Sequence, residues 1–138
     1  MTGVDLTEPL IERARDLAVG GDTYLLGNAE DLDNVDDESF DLALSYIFLV
    51  DLLDYRASVE QTYRVLRPGG RFIVCNVHPN RSALFLGWIK HGSRKLYYPL
   101  DNYNDEGPRE MPWFDKQFIN MHRTLSSHMS AFLDAGFV

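Results

Sequence analysis

Apolar and polar positions along this chain switch between the strand period and the helix period several times. Met1 to Val4 reads as the tail of a strand that ends at Asp5. Leu6, Leu10, Ala14 and Leu17 then recur at helical intervals and predict one apolar helix face. Thr7 is the expected N-cap. Pro9 falls in the first turn, where its missing N–H costs nothing, and Gly20-Gly21 stops the helix. Thr23 to Leu26 predicts a short strand closed by Gly27. Phe40 to Tyr46 has the continuous apolar character of a strand buried on both faces. A second helix is expected from Asp54, with Tyr55, Val59, Tyr63 and Leu66 on its apolar stripe. Arg67-Pro68-Gly69-Gly70 breaks that helix, and Arg71 to Val77 predicts a further strand. Strands alternating with helices indicate βαβ units, an α/β class and a mostly parallel sheet.

From Arg81 to Asn120 this patterning is lost. The segment holds Phe85, Trp88, Tyr97, Tyr98, Tyr103, Trp113, Phe114 and Phe118, eight of the 17 aromatics (8 Phe, 7 Tyr and 2 Trp). A long irregular stretch inside a small domain is a lid, a binding loop or a disordered segment, and this aromatic density argues against disorder. Leu125-Ser126 opens a closing helix that carries Met129, Phe132 and Leu133 and ends at Gly136.

Composition narrows the classes. A length of 138 residues suits one domain, and 45% hydrophobic with 25% charged residues is ordinary for a globular chain. Thirteen Lys and Arg against 21 Asp and Glu give a net charge of -8. An acidic surface repels phosphate backbones and anionic lipid, so neither nucleic acid nor a membrane is expected as a general partner. The one cysteine, Cys75, suits a reducing compartment and is expected inside a strand. With no apolar run near the length of a membrane span and no signal-peptide pattern, a cytoplasmic location is expected.

Five segments, in order, resemble the class I S-adenosylmethionine-dependent methyltransferases. Thr2-Gly3-Val4-Asp5-Leu6-Thr7-Glu8-Pro9-Leu10 is similar to the family's second strand and following helix. Gly27-Asn28-Ala29-Glu30-Asp31-Leu32 resembles its adenine-contacting loop, and Phe40-Asp41-Leu42-Ala43-Leu44-Ser45 its fourth strand. Arg64-Val65-Leu66-Arg67-Pro68-Gly69-Gly70-Arg71-Phe72 resembles the helix, turn and fifth strand. His122-Arg123-Thr124-Leu125-Ser126 with Ala135-Gly136-Phe137 is similar to the last helix and the start of the sixth strand. The resemblance implies a Rossmann-like sheet with helices on both faces. It also implies methyl transfer from S-adenosyl-L-methionine to a small molecule, with S-adenosyl-L-homocysteine as product.

It further assigns roles. Asp5, at the carboxyl end of a parallel strand, would accept the ribose hydroxyls, with Leu6 beside it; otherwise Asp5 merely begins a turn. Asn28 and the Ala29 amide would meet the adenine, although the family often has aspartate at the position of Asn28; the plainer reading is a turn asparagine. Ser45 and Tyr46 would approach the methionine part of the cofactor, Tyr46 as a wall, as a cation–π partner or as a core aromatic. His78, after the fifth strand, is the best-placed general base for an oxygen or nitrogen acceptor, or a bystander. His122 would anchor the last helix. Insertions after the fifth strand often cover the acceptor in this family, so Trp88, Tyr97, Tyr98 and Trp113 are candidate acceptor-binding residues within a lid over 81–120.

Two metal readings fail. Asp31 and Asp33 start like a calcium loop, but Val35 and Asp36 fall where a ligand and a glycine belong, leaving a solvated acidic loop. His122 and His128 have neither a helical-face nor a zinc spacing. The family's first strand and Gly-rich loop find no match here, so the chain is expected to be a fragment of an incomplete class I domain. A non-catalytic remnant that associates with a partner or forms a homodimer is the alternative. A nucleotide-linked oxidoreductase is disfavoured, because no Tyr is followed by Lys four residues on.

Overall fold

The amide of Thr7 donates to Asp5 Oδ1 at 2.7 Å, which turns the chain out of the first strand, β1 (Thr2–Asp5), into the first helix, α1 (Glu8–Asp16). The computed structural model describes residues 1–83, 87–113 and 115–138, without the side chains of Pro112 and Trp113. The described chain divides into two compact units: Met1–Leu42 with Asp54–Arg71, and Ala43–Leu53 with Phe72–Val138.

In the first unit β1 pairs in parallel with β2 (Thr23–Leu26), Thr2 opposite Thr23 through Asp5 opposite Leu26. The Tyr24 ring lies so close to Gly3 that a Cβ there would sit 2.9 Å from it, which is why glycine is needed. The expected apolar stripe of α1 is corrected. Leu6, Leu10 and Leu17 are exposed, and Ile11 is the residue of the helix that is buried. A helix lying on two four-residue strands covers little area, so one side chain fills the contact. The helix stops at Asp16, ahead of Gly20-Gly21, whose positive φ angles form the turn beyond it.

β3 (Phe40–Tyr46) and β4 (Leu66–Cys75) are hydrogen-bonded neighbours, joined by α2 (Tyr55–Val65). Asp54 caps α2 by accepting from Ala57 N at 3.1 Å. The acidic loop over 31–38 is gripped by Arg64 of this helix, which donates to Leu32 O and Val35 O at 2.8 and 2.9 Å and to Asp37. β4 begins at Leu66, directly after the helix and earlier than the pattern suggested. Gly69 has φ +79°, and a Cβ on Gly70 would come within 2.9 Å of Arg67 O, so both glycines are required by geometry. The expectation that β3 is buried on both faces is also corrected. Ser45 is buried, but Leu42, Leu44 and Tyr46 on its other side are 54%, 69% and 69% exposed. β3 pairs with β4 alone, and an apolar run cannot report which of its faces is covered. Cys75, expected inside, is exposed for the same reason.

The second unit contains the far ends of β3 and β4, the short helix α3 (Pro79–Ser82), two antiparallel hairpins and the last helix. The aromatic segment is thus not irregular: β5 (Ile89–His91) pairs with β6 (Arg94–Tyr97), and β7 (Gly107–Trp113) with β8 (Lys116–His122). β5–β6 is largely exposed on both sides, and the half-buried positions of β7 are Gly107, Arg109 and Met111 with Pro108 between them, so no two-residue apolar period marks either hairpin. α4 (Leu125–Ala135) is capped by Thr124 Oγ1, which accepts from Ser127 N at 3.1 Å, and ends at Gly136 with φ +107°. Phe72, Phe132 and Phe137 pack together with ring centroids 5.7–6.2 Å apart.

Buried polar groups hold this unit together. Arg123 is 5% exposed and donates to Leu49 O, Leu52 O and Leu53 O at 2.5–3.1 Å, closing the loop that follows β3. His122 is fully buried, and its role differs from the expected helix anchor. Its Nε2 donates to Tyr103 O and its Nδ1 meets Ser82 Oγ, both at 2.8 Å, so it ties β8 to α3 and to the loop before β7. Glu106 Oε1 accepts from Thr124 N and Oγ1 at 2.8 and 2.7 Å. Partial burial pushes its carboxyl up, but hydrogen bonds from Ser127 and Thr124 outweigh this and hold it below its ordinary 4.5. Burial, aided by the charge of Arg123, holds His128 below its ordinary 6.5.

Arg123→Met strands three carbonyls and is expected to destabilise the chain by about 2–3 kcal/mol. The readout is a lower urea midpoint at unchanged slope. Arg123→Lys recovers part of the loss, because an ammonium lacks the planar fork. The lowered Glu106 carboxyl stabilises the fold at pH values above 4.5 and loses that contribution as pH falls through its folded value. Glu106→Gln is therefore less stable than the parent at pH 7, and the gap closes in acid, as measured by thermal unfolding across pH.

Candidate functional site

Parallel pairing puts the carboxyl ends of β1 and β2 side by side in the first unit. Asp5 stands opposite Leu26, and Gly27 N donates to Asp5 O at 3.0 Å, so the turn carrying Asn28 and Ala29 starts next to Asp5. The half-buried Asp5 carboxylate uses Oδ1 on Thr7 N, the local turn contact foreseen as its plainer reading. Its Oδ2 keeps full accepting capacity toward a diol. Asn28 Oδ1 accepts from Glu30 N at 3.0 Å, an Asx turn that fixes the loop and leaves one lone pair on that oxygen. Glu30 in turn accepts from Asp54 N at 2.8 Å, securing the loop to the start of α2. Leu6 presents an exposed side chain just past the strand end.

A second group lies at the carboxyl ends of β3 and β4 in the other unit, linked by Ile47 N donating to Cys75 O at 2.7 Å. Ser45 and Tyr46 point to opposite faces. Tyr46 is exposed, while Ser45 is 7% exposed and its hydroxyl has no hydrogen-bond partner among the described residues. Asn76, just past β4, likewise has a buried Oδ1 without a partner there. Sequence reasoning passed over Asn76; the signal available was a polar residue directly ending the apolar run Phe72 to Cys75. Ile47 has φ +47°, a left-handed backbone that a β-branched residue rarely adopts. Two unpartnered buried polar atoms and one strained residue therefore lie at adjoining strand ends. Burial also pushes the Asp51 carboxyl up, in the loop that follows.

His78 is exposed, and its Nδ1 accepts from Asn80 N at 3.2 Å, capping α3. The Nδ1 lone pair that caps α3 is thus already engaged by a backbone amide. Trp88 and Tyr98 meet edge to face at 5.4 Å, and Tyr97 is exposed. The Trp113 side chain, Phe85 and Phe114 lie outside the described residues. Among the described residues no helix is long and apolar enough to cross a membrane.

The family model of the methyltransferase domain matches residues 1–74. An S-adenosylmethionine-dependent methyltransferase structure from Mesorhizobium loti superposes with a TM-score of 0.87 at 33% identity, over 99% of this chain and 62% of that one. Malonyl-[acyl-carrier protein] O-methyltransferase of Salmonella typhimurium is 39% identical over 70 residues, 51% of this chain and 27% of that protein. Demethylmenaquinone methyltransferase of Clavibacter sepedonicus is 31% identical over 77 residues, 54% of this chain and 31% of that protein. The chain thus spans less than two thirds of the length of these relatives. A Rossmann-like α/β fold, strand ends carrying Asp5 and Asn28, and a matching family model over more than half its length agree: the chain belongs to the methyltransferase-domain family, whose structural neighbours are S-adenosylmethionine-dependent.

Proposed function

We propose that this chain carries the nucleoside-binding strand ends of an enzyme that methylates a small molecule from S-adenosyl-L-methionine. The observation that carries the reading is the parallel register of β1 and β2, which delivers Asp5 and the Asn28-Ala29 turn to adjacent positions. Asp5 Oδ2 accepts from the ribose hydroxyls, with Leu6 next to it, while Asn28 and the Ala29 amide take the adenine edge. Within the second unit taken by itself, Ser45 and Tyr46 are the candidate cofactor contacts, a reading supported by the buried Ser45 hydroxyl that has no partner among the described residues. S-adenosyl-L-methionine supplies, when bound, a methyl group on a positively charged sulfur. This chain's residues contribute placement, holding the acceptor atom in line with that methyl. His78 serves that placement as the cap of α3, and its base role is the alternative for an acceptor that must lose a proton. Trp88, Tyr97 and Tyr98, in and beside the β5–β6 hairpin, are the candidate acceptor contacts, with Trp113 at the end of β7 as the further candidate from the sequence.

Calorimetric titration with S-adenosyl-L-homocysteine tests the reading. Binding is expected to weaken at least about tenfold in Asp5→Ala, the order of one or two charge-assisted hydrogen bonds. The titration is run on this chain and on the longest natural reading frame that contains it. No binding by either overturns the proposal.

A second reading, self-association, is favoured by the exposed Leu44, Tyr46 and Ile73 on one side of the β3–β4 ends. Light scattering is expected to show a dimer that Ile73→Lys dissociates. A monomer at all concentrations removes this reading.

A further inference from the structure

Charge is segregated along this acidic chain. No Asp or Glu occurs between Glu60 and Asp101, while seven of the 13 Lys and Arg fall in that interval. Arg64 and Arg67 of that group pair with Asp37 and Asp41. Arg81, Lys90, Arg94 and Lys95 are exposed, and no ion pair among the described residues includes them. Three of these four lie on the β5–β6 hairpin, whose register sets Lys90 opposite Lys95 and His91 opposite Arg94. Directly opposed cations destabilise a strand pair, and a two-stranded hairpin has little stability to spare. A sequence that sets Lys90 directly against Lys95 in so short a hairpin points to a ligand that restores the balance.

Apolar surface accompanies the charge. Lys95 Nζ lies 5.2 Å from the Trp88 ring centroid, Trp88 meets Tyr98 edge to face, and Arg81 donates to Tyr98 OH at 3.2 Å. Two cations therefore flank an aromatic pair, with Leu96 and Tyr97 exposed beside it. We propose that the β5–β6 hairpin, with Arg81, Trp88 and Tyr98, binds a small organic anion, a carboxylate or phosphate on an apolar body, as the acceptor of the methyltransferase. The acceptor role rests on the function proposed above; the anion site rests on the hairpin. The anion sits between opposed cations, where it relieves their repulsion, and its apolar part lies along the rings. The net charge of -8 favours a small anion over a polyanionic surface. A lipid bilayer or nucleic acid meets the acidic remainder of the molecule, whereas a small ion samples only the field within about a Debye length, ~8 Å.

The test uses the full chain, labelled with nitrogen-15 and titrated with phenyl phosphate, phenol and phosphatidylglycerol vesicles. Phenyl phosphate is expected to shift the Trp88 indole and the amides of 89–97, with phenol at least tenfold weaker. Lys90→Gln with Lys95→Gln is expected to weaken phenyl phosphate at least tenfold. Lys90→Glu, which sets a carboxylate opposite Lys95, is expected to abolish binding while raising the thermal midpoint, two effects that a merely structural lysine would not combine. Equal affinity for phenol, unshifted hairpin amides, or binding to vesicles alone overturns the anion site. In the same samples, S-adenosyl-L-homocysteine binding with no phenyl phosphate binding overturns this site and keeps the methyltransferase reading. The converse keeps the anion site and overturns its acceptor role.

Discussion

The buried guanidinium of Arg123 is the contact on which the second unit is built. It donates to three carbonyls of the loop that follows β3, and Met121 N donates to Val50 O in the same loop. Leu49, Val50 and Leu52 are thereby carried inside as a core around a polar hub. A loop buried in this way would otherwise strand its backbone acceptors, and a planar cation with several donors satisfies them at once. The neighbouring His122 and Thr124 extend the arrangement to α3, to Tyr103 and to Glu106. One three-residue junction between β8 and α4 therefore fixes the loop behind Ser45, the helix behind His78 and the start of the last helix.

That arrangement explains why the strand ends can carry strain. Ile47 holds a left-handed backbone, and Ser45 Oγ and Asn76 Oδ1 are buried without partners among the described residues. Each feature opposes folding, and each persists because the surrounding hub over-determines the local conformation. In the first unit the same logic runs through Arg64, which gathers the acidic loop by donating to its carbonyls and to Asp37. An acidic run that looks solvated in one dimension is folded around a cation in three.

Local signals served best where the backbone itself decided the outcome. The turn after Asp5, the starts of α2 near Asp54 and of α4 at Leu125 and the stop at Gly136 were legible, because each depends on residues within four positions of one another, whereas Thr7 stands at the N-cap of α1 with no side-chain cap bond. That Asp5 ends a strand and Asn28 follows one was legible, while their binding roles rest on the family resemblance. Burial was not. The stripe Leu6, Leu10 and Leu17 and the alternate positions Leu42, Leu44 and Tyr46 are apolar yet exposed, since hydrophobicity marks a face that can be buried without stating what covers it. The hairpins of the aromatic segment were missed because neither has a consistently buried side.

The sequence by itself determined the alternation of strand and helix and the glycines of the turn at Gly69-Gly70, and its motifs carried the resemblance to the methyltransferase family. These are properties of short segments, set by backbone sterics and spacing. Only the tertiary structure decided that Ile11 rather than Leu10 fills the core, that Arg123 and Arg64 close distant loops, and that Lys90 faces Lys95. The physical reason is range. A backbone carbonyl 70 residues away along the chain, as that of Leu53 is from Arg123, becomes a hydrogen-bond partner only once the fold has brought the two together.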